Sequence, residues 1–357
     1  MKAGDGPRSS IVGRGAADNP KNRFEKIEVE PELGELDAEE PGPEIIYLRD
    51  VSRSIIARND SPDIGFDASI NPYRGCSHGC IYCYARPTHE YLGFSAGLDF
   101  ESKVLVKEDA PELLRKQLSS PRWNPQVFSI SGVTDCYQPI ERKLRITRRC
   151  LKVLTEFRNP VAIVTKNHLV TRDIDLLSEL ARHDAAVVAV SLTTLDDDLR
   201  RVMEPRTSRP VRRLAAIEAL ARAGVSVGVM TAPVIPGLND HELPSLISAA
   251  AEAGAGFAAY TPVRLPHAVR PLFDDWLARH FPERKEKILN RIRSVRGGRL
   301  NDSQFVSRMR GEGIFADQIS QLFDISCRRA GLERKRFPRL STAAFRRLGE
   351  IQPGLFD

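Results

Sequence analysis

Residues 66–93 read FDASINPYRGCSHGCIYCYARPTHEYLG. A short run with apolar residues passes through Asn-Pro, and three cysteines follow at Cys76, Cys80 and Cys83. Thiolates are soft donors suited to zinc or to an iron–sulfur cluster. A closed zinc site takes four ligands, commonly as two close pairs. The spacing here is C-x3-C-x2-C, so a zinc site would have to recruit His78 or His89. A cubane of four irons held by three thiolates keeps one iron open to a non-protein ligand, as catalytic metal sites keep a position open. Cys136, Cys150 and Cys327 have no paired spacing, and the last two sit in helical patterns as small buried hydrophobes.

Downstream, short runs rich in Val and Ile alternate with amphipathic stretches. VFSISGV (127–133), VAIVTKN (161–167), AAVVAVSLTT (185–194), VSVGVMTAPVIP (225–236) and GFAAYTPVRL (256–265) read as buried parallel strands. RKLRITRRCLKVLTEF, DIDLLSELARH, VRRLAAIEALARAG and HELPSLISAAAEAG read as the helices between them, the last two closed by a C-terminal Gly. FDASINPYRG supplies the first strand. Right-handed β-α crossovers then give about six units, expected as an open, partial (β/α)6 barrel, with a doubly wound open sheet as the alternative. In either fold the chemistry belongs at the C-terminal ends of the strands, where the cysteine loop lies.

The flanks differ in charge. Residues 1–50 carry 7 Lys/Arg against 12 Asp/Glu, and residues 279–347 carry 18 against 7. Residues 1–45 lack periodicity and are expected to be a disordered acidic segment. The core is expected over 46–266, a basic helical extension over 267–340 and a tail over 341–357. The basic extension can hold a polyanion such as nucleic acid, or simply be a solvated helical surface. No run of about 18 apolar residues or secretory h-region is visible, so a cytoplasmic protein without a membrane span is expected. Six cysteines in 357 residues are too few for a disulfide scaffold.

C-x3-C-x-aromatic-C after the first strand of a β/α domain resembles the signature of the radical S-adenosylmethionine (SAM) superfamily. RSIIARNDSPDIGFDASINPYRGCSHGCIYCYARPTHEYLG is similar to the group related to spore photoproduct lyase, often labelled DNA repair photolyase-like, and to one bacterial branch of it. The resemblance implies a lyase-like enzyme whose [4Fe–4S] cluster, on Cys76, Cys80 and Cys83, binds SAM at its open iron. It further implies reductive cleavage of SAM to a 5′-deoxyadenosyl radical that abstracts hydrogen. Tyr82 would pack near the adenine, and Tyr84 would face the substrate and relay a hydrogen atom. Thr134 and Asp135 would meet the SAM amino group, Lys166 its carboxylate, and Ser191 with Thr193 its ribose. Pro-Gly in APVIPGLND would let backbone approach the adenine. Packing aromatics and helix caps are the plainer roles for Tyr82, Tyr84, Asp135 and Thr193.

One departure bears on the reaction. The cysteine that closes the cycle in spore photoproduct lyase is replaced by Gly132, leaving the displaced Cys136 as the candidate donor. The substrate is read as damaged or modified nucleic acid, with a small molecule, peptide or protein as the alternative. A non-catalytic iron–sulfur protein would have no use for Lys166 and Ser191 at the rim. Expected partners are an electron donor such as flavodoxin or ferredoxin, and nucleic acid. Gln352, Leu355 and Phe356 add a Q-x-x-L-F pattern resembling peptides that dock on the bacterial sliding clamp.

Overall fold

The computed structural model describes residues 11–24, 44–334 and 337–347. Its strands are β1 (Ile46–Arg49), β2 (Ile56–Arg58), β3 (Ala68–Ile70), β4 (Tyr73–Arg74), β5 (Lys103–Val106), β6 (Phe128–Ile130), β7 (Val161–Thr165), β8 (Ala186–Ser191), β9 (Ser226–Val234), β10 (Phe257–Pro262) and β11 (Glu333–Arg334). The main sheet has the order β11-β10-β9-β8-β7-β6-β3-β2. From β3 to β10 the six expected strands pair in parallel and in chain order. The sheet ends at β2, antiparallel to β3, and at β11, parallel to β10, so it is the open, partial barrel. A second small sheet, β1-β5-β4, escaped the sequence reading because its strands are two to four residues long.

AVVAVS of β8 is buried at every position, as a central parallel strand covered on both faces should be. Side chains alternate between faces with a period of two. Val161, Ile163, Ala186, Val188 and Val190 join the core between sheet and helices. Their neighbours Ala162, Val164, Val187 and Ala189 join a separate cluster with Phe257, on the opposite, inner face. Small residues on that face keep the lumen open, except at its base. There a Cβ on Gly228 would stand 2.5 Å from the Phe257 ring, and Phe337 packs on Phe257 at a 51° tilt with centroids 5.0 Å apart.

The helices Val269–His280, Lys285–Ser294 and Ile314–Ala330 lie within the expected extension. The last is no separate appendage, since Ile319, Phe323 and Cys327 belong to the main core. Cys150 and Cys327 are buried, as expected. Beyond β11 the chain crosses under the barrel. Ser341 N donates to Asp184 O (2.9 Å), Arg346 N to Phe157 O (2.9 Å) and Arg347 Nη2 to Trp123 O (3.0 Å). Those acceptors precede β8, β7 and β6, so this strap covers the end opposite the C-terminal ends of the strands. Among the described residues no helix is long and apolar enough to cross a membrane.

Candidate active site

The cysteine loop is built on one buried ion pair. Arg86 and Glu101 are both fully buried. Arg86 Nε donates to Cys80 O (3.0 Å), Nη1 to Ala96 O (3.1 Å) and Gly97 O (3.0 Å), and Nη2 to Gly79 O (3.3 Å) and Glu101 Oε1 (2.5 Å). All five guanidinium N–H groups thus have acceptors, four of them backbone carbonyls: two in the cysteine loop and two at Ala96 and Gly97. Glu101 in turn accepts from Gly15 N (3.1 Å) and Ala16 N (2.9 Å). Residues 11–24 are therefore packed, which corrects the expectation of disorder for that part of 1–45. Gly15 permits the approach, since a Cβ there would lie 1.9 Å from Gly79 O.

The same loop is tied to the ends of β6 and β7. His78 Nδ1 lies 3.4 Å from Asp135 Oδ2, and its Nε2 lies 3.3 Å from Asn167 Nδ2. Asp135 also accepts from Tyr137 N (2.8 Å), Thr165 Oγ1 (2.8 Å) and Lys166 N (2.8 Å). Burial by itself would raise its pKa; His78 and the two backbone amides outweigh burial and bring it down to about 2. Thr134 Oγ1 donates to Tyr73 O (2.6 Å). Both expected SAM ligands thus bond within the protein. Cys136 is a correction. Its N–H donates to Ser131 Oγ (2.8 Å) and its carbonyl accepts from Thr147 Oγ1 (2.7 Å), which turns the thiol into the main core at 0% exposure. Burial pushes that thiol's pKa well up, and a buried core thiol does not face a substrate at the mouth.

Strand alternation assigns two of the expected residues, Lys166 and Ser191, to the inner face. Lys166 continues the inner-face series Ala162, Val164, and Ser191 continues Val187, Ala189. Lys166 Nζ lies 5.8 Å from the Tyr82 ring centroid. Ser69 and Ser129 alternate with the outward residues Ala68, Ile70, Phe128 and Ile130, so they line the same lumen. Tyr84 is 48% exposed; its hydroxyl donates to Gly132 O (2.8 Å) and the Arg264 guanidinium lies 4.8 Å from its ring centroid. Thr193 is buried and donates to Glu204 Oε1 (2.8 Å). Glu204, fully buried, also accepts from the Tyr82 hydroxyl and pairs with Arg213. Sequence reading missed Glu204, Arg213, Arg86 and Glu101. Each stands among other charged residues nearby in the chain, and no periodicity marks which of those charges is buried.

The donor set fits a cluster better than a lone zinc. Cys76, Cys80 and Cys83 are all free thiols. Turns close from Gly79 N to Cys76 O (3.3 Å) and from Cys83 N to Cys80 O (3.2 Å). A cubane takes one thiolate per iron, so three cysteines on one loop suffice for it, whereas a closed zinc site needs a fourth ligand. His89, the other candidate zinc ligand, packs between the Phe94 and Phe100 rings, 5.3 and 5.6 Å away. Burial raises the Cys80 and Cys83 pKa values, neighbouring thiols add to this, and Lys166 opposes it. Deprotonated sulfurs here call for further positive charge, which bound iron supplies. A cleft of about 550 Å³ lined by Asp196, Leu199, Leu238, Glu242 and Phe281 holds none of these residues.

A family model described as the radical SAM superfamily matches residues 70–250. An uncharacterised protein of Mycobacterium tuberculosis is 40% identical over 220 residues, which is 61% of this chain and 65% of that protein. The chain thus matches slightly under two thirds of that relative's length. A protein of Pseudomonas phage M6 named radical SAM Nalpha-GlyT isomerase is 26% identical over 172 residues, 48% of this chain and 34% of that one. The solved structure of spore photoproduct lyase complexed with dinucleoside spore photoproduct aligns with a TM-score of 0.57 at 17% identity, covering 82% of each chain. That alignment establishes the shared fold.

Proposed function

The chain belongs to the radical SAM superfamily; from that premise we propose that it is an enzyme of SAM-dependent radical chemistry whose substrate is a damaged or modified nucleic acid met at the barrel mouth by Tyr84. The family implies SAM and an iron–sulfur cluster. Bound at Cys76, Cys80 and Cys83, a [4Fe–4S] cluster would supply the electron that splits SAM into methionine and a 5′-deoxyadenosyl radical. The chain's own residues do the rest. Lys166 offers its charge to the SAM carboxylate, Ser191 a hydroxyl to the ribose, and Tyr82 a ring face to the adenine. Thr134, Asp135 and Thr193 act by holding the loops that carry these groups. Tyr84, half-exposed and held between Gly132 and Arg264, would pass a hydrogen atom to a substrate radical, and the tyrosyl radical left behind would be restored by an electron from the donor protein and a proton. Cys136 has no part in this proposal.

The observation that carries the reading is the inner-face series that brings Lys166 and Ser191 to the rim beside the cysteine loop. The nucleic-acid part is supported by one structural neighbour, spore photoproduct lyase complexed with dinucleoside spore photoproduct. One observation favours the small-molecule, peptide or protein alternative. Many C-terminal arginines are committed internally: Arg296 donates to Pro262 O (2.8 Å) and Arg308 O (2.8 Å), and Arg308 to Asp63 Oδ2 (2.5 Å). A flavodoxin or ferredoxin would deliver the electron. Gln352, Leu355 and Phe356 lie outside the described residues. Sliding-clamp docking there is a proposal that rests on the Q-x-x-L-F pattern alone.

The test is anaerobic reconstitution. About four irons per chain, and 5′-deoxyadenosine formed with SAM and a reductant, are expected; replacing Cys76, Cys80 or Cys83 by Ala abolishes both. Stoichiometric zinc without iron refutes the reading. A salt-dependent shift of lesion-bearing DNA is expected for the nucleic-acid substrate, and its absence favours the alternative.

A further inference from the structure

We propose that Glu204 is a positioning residue, which with Arg213 sets Tyr82, Lys166 and Ser191 in the mutual arrangement that binds SAM. This rests on the reading of the lumen as the SAM seat. Residues 203–213 touch every part of that seat. On the cysteine loop, Ile81 N donates to Met203 O (3.1 Å), Arg206 N to His78 O (3.2 Å), and the Tyr82 hydroxyl to Glu204. At the end of β7, Ser208 N donates to Lys166 O (3.2 Å) and His168 N to Ser208 Oγ (2.9 Å). At the end of β8, Arg213 Nη1 donates to Ser191 O (3.0 Å), and Thr193 Oγ1 to Glu204 Oε1 (2.8 Å).

A carboxylate at 0% exposure and a guanidinium at 1% are costly to desolvate, and they persist only with full pairing. Arg213 completes that pairing through Ser208 O (2.8 Å) and Thr207 Oγ1 (2.5 Å). The pair is thus a rigid anchor, and one carboxylate oxygen of it receives both Tyr82 and Thr193. Tyr82 is 6% exposed, and its hydroxyl has to find an acceptor. The direction of that bond fixes the tilt of the ring over which Lys166 Nζ sits at 5.8 Å. Glu204 therefore acts on SAM through Tyr82 and the two strand ends without touching it.

The experiment uses the reconstituted holoprotein and measures the SAM dissociation constant by equilibrium dialysis, iron content, and the change that SAM induces in the spectrum of the reduced cluster. Tyr82→Phe keeps the ring and removes only the bond to Glu204; Glu204→Gln weakens the anchor. Each is expected to raise the dissociation constant by roughly tenfold, the worth of one buried hydrogen bond to a charged group, with iron at the parent level. The double variant is expected to be no weaker than the poorer single variant, because both remove one contact. Unchanged SAM affinity in Tyr82→Phe overturns the proposal, and decides alone if Glu204→Gln does not fold. Lys166→Ala separates the two levels. If it weakens SAM binding while Tyr82→Phe does not, the positioning role falls and the seat stands. If neither weakens it, the seat itself is misassigned and both fall.

Discussion

Arg86→Met should cost the cysteine loop its foundation. Met matches the length of the aliphatic stem but removes five N–H donors at once, leaving the carbonyls of Gly79, Cys80, Ala96 and Gly97 and a fully buried Glu101 carboxylate short of partners. Breaking a buried pair by deleting one member costs about 3–5 kcal/mol. At ~2.1 cal/mol/K per residue, 357 residues have an unfolding entropy of about 0.75 kcal/mol/K. The melting temperature of the apoprotein should therefore fall by roughly 4–7 °C. Arg86→Lys keeps the charge but offers three donors, and should lose part of this stability without regaining the wild-type value. Calorimetry on the apoprotein reads the loss, and iron content after reconstitution reads its consequence, since two of the four carbonyls flank or belong to Cys80. A melting temperature within 1 °C of the parent, measurement error being on the order of 0.5 °C, together with full iron uptake, would refute the idea that this pair builds the loop.

Lys166→Ala should weaken SAM binding by about tenfold or more through loss of a charge-assisted contact, with the cluster absorbance intact; loss of iron together with SAM affinity would instead make Lys166 part of the cluster's support. Asp135, depressed from 3.8 to about 2, contributes stability that is present above pH ~4 and is lost as pH falls toward 2. A depression of that size corresponds to about 2.5 kcal/mol, so the stability gap between the parent apoprotein and Asp135→Asn should close across that window in acid titrations, and a gap that persists at pH ~2 contradicts the assignment. Gly15→Val places side-chain atoms where Gly79 O stands. It should detach residues 11–24 from Glu101, seen as faster proteolysis in that segment with the melting profile of the rest retained.

The main architecture was legible because it rests on patterns that repeat. The runs at 161–167, 185–194, 225–236 and 256–265 each became a strand, and their order in the sheet is their order in the chain. A central parallel strand such as β8 needs apolar residues on both faces, and that demand is written in consecutive residues. The C-x3-C-x2-C loop stood out for a similar reason, as three cysteines carried on one short segment. Lys166 and Ser191 stood out as polar groups ending apolar runs, and the period of two that defines the strands also sends them inward.

What only the tertiary structure decided are the relations between segments far apart in the chain. Asp135 looked like a ligand at a strand end, but its oxygens go to His78, Thr165, Tyr137 and the Lys166 amide. Cys136 looked like a donor, and one turn bonded to Ser131 and Thr147 points it into the core. Gly15 meets Gly79, Arg86 meets Glu101, and Tyr82 meets Glu204. A buried charge or hydroxyl is stable only with a partner, and in a parallel α/β fold that partner arrives from another β/α unit. Local sequence states which groups need partners; the crossovers that stack the units decide which partners they meet.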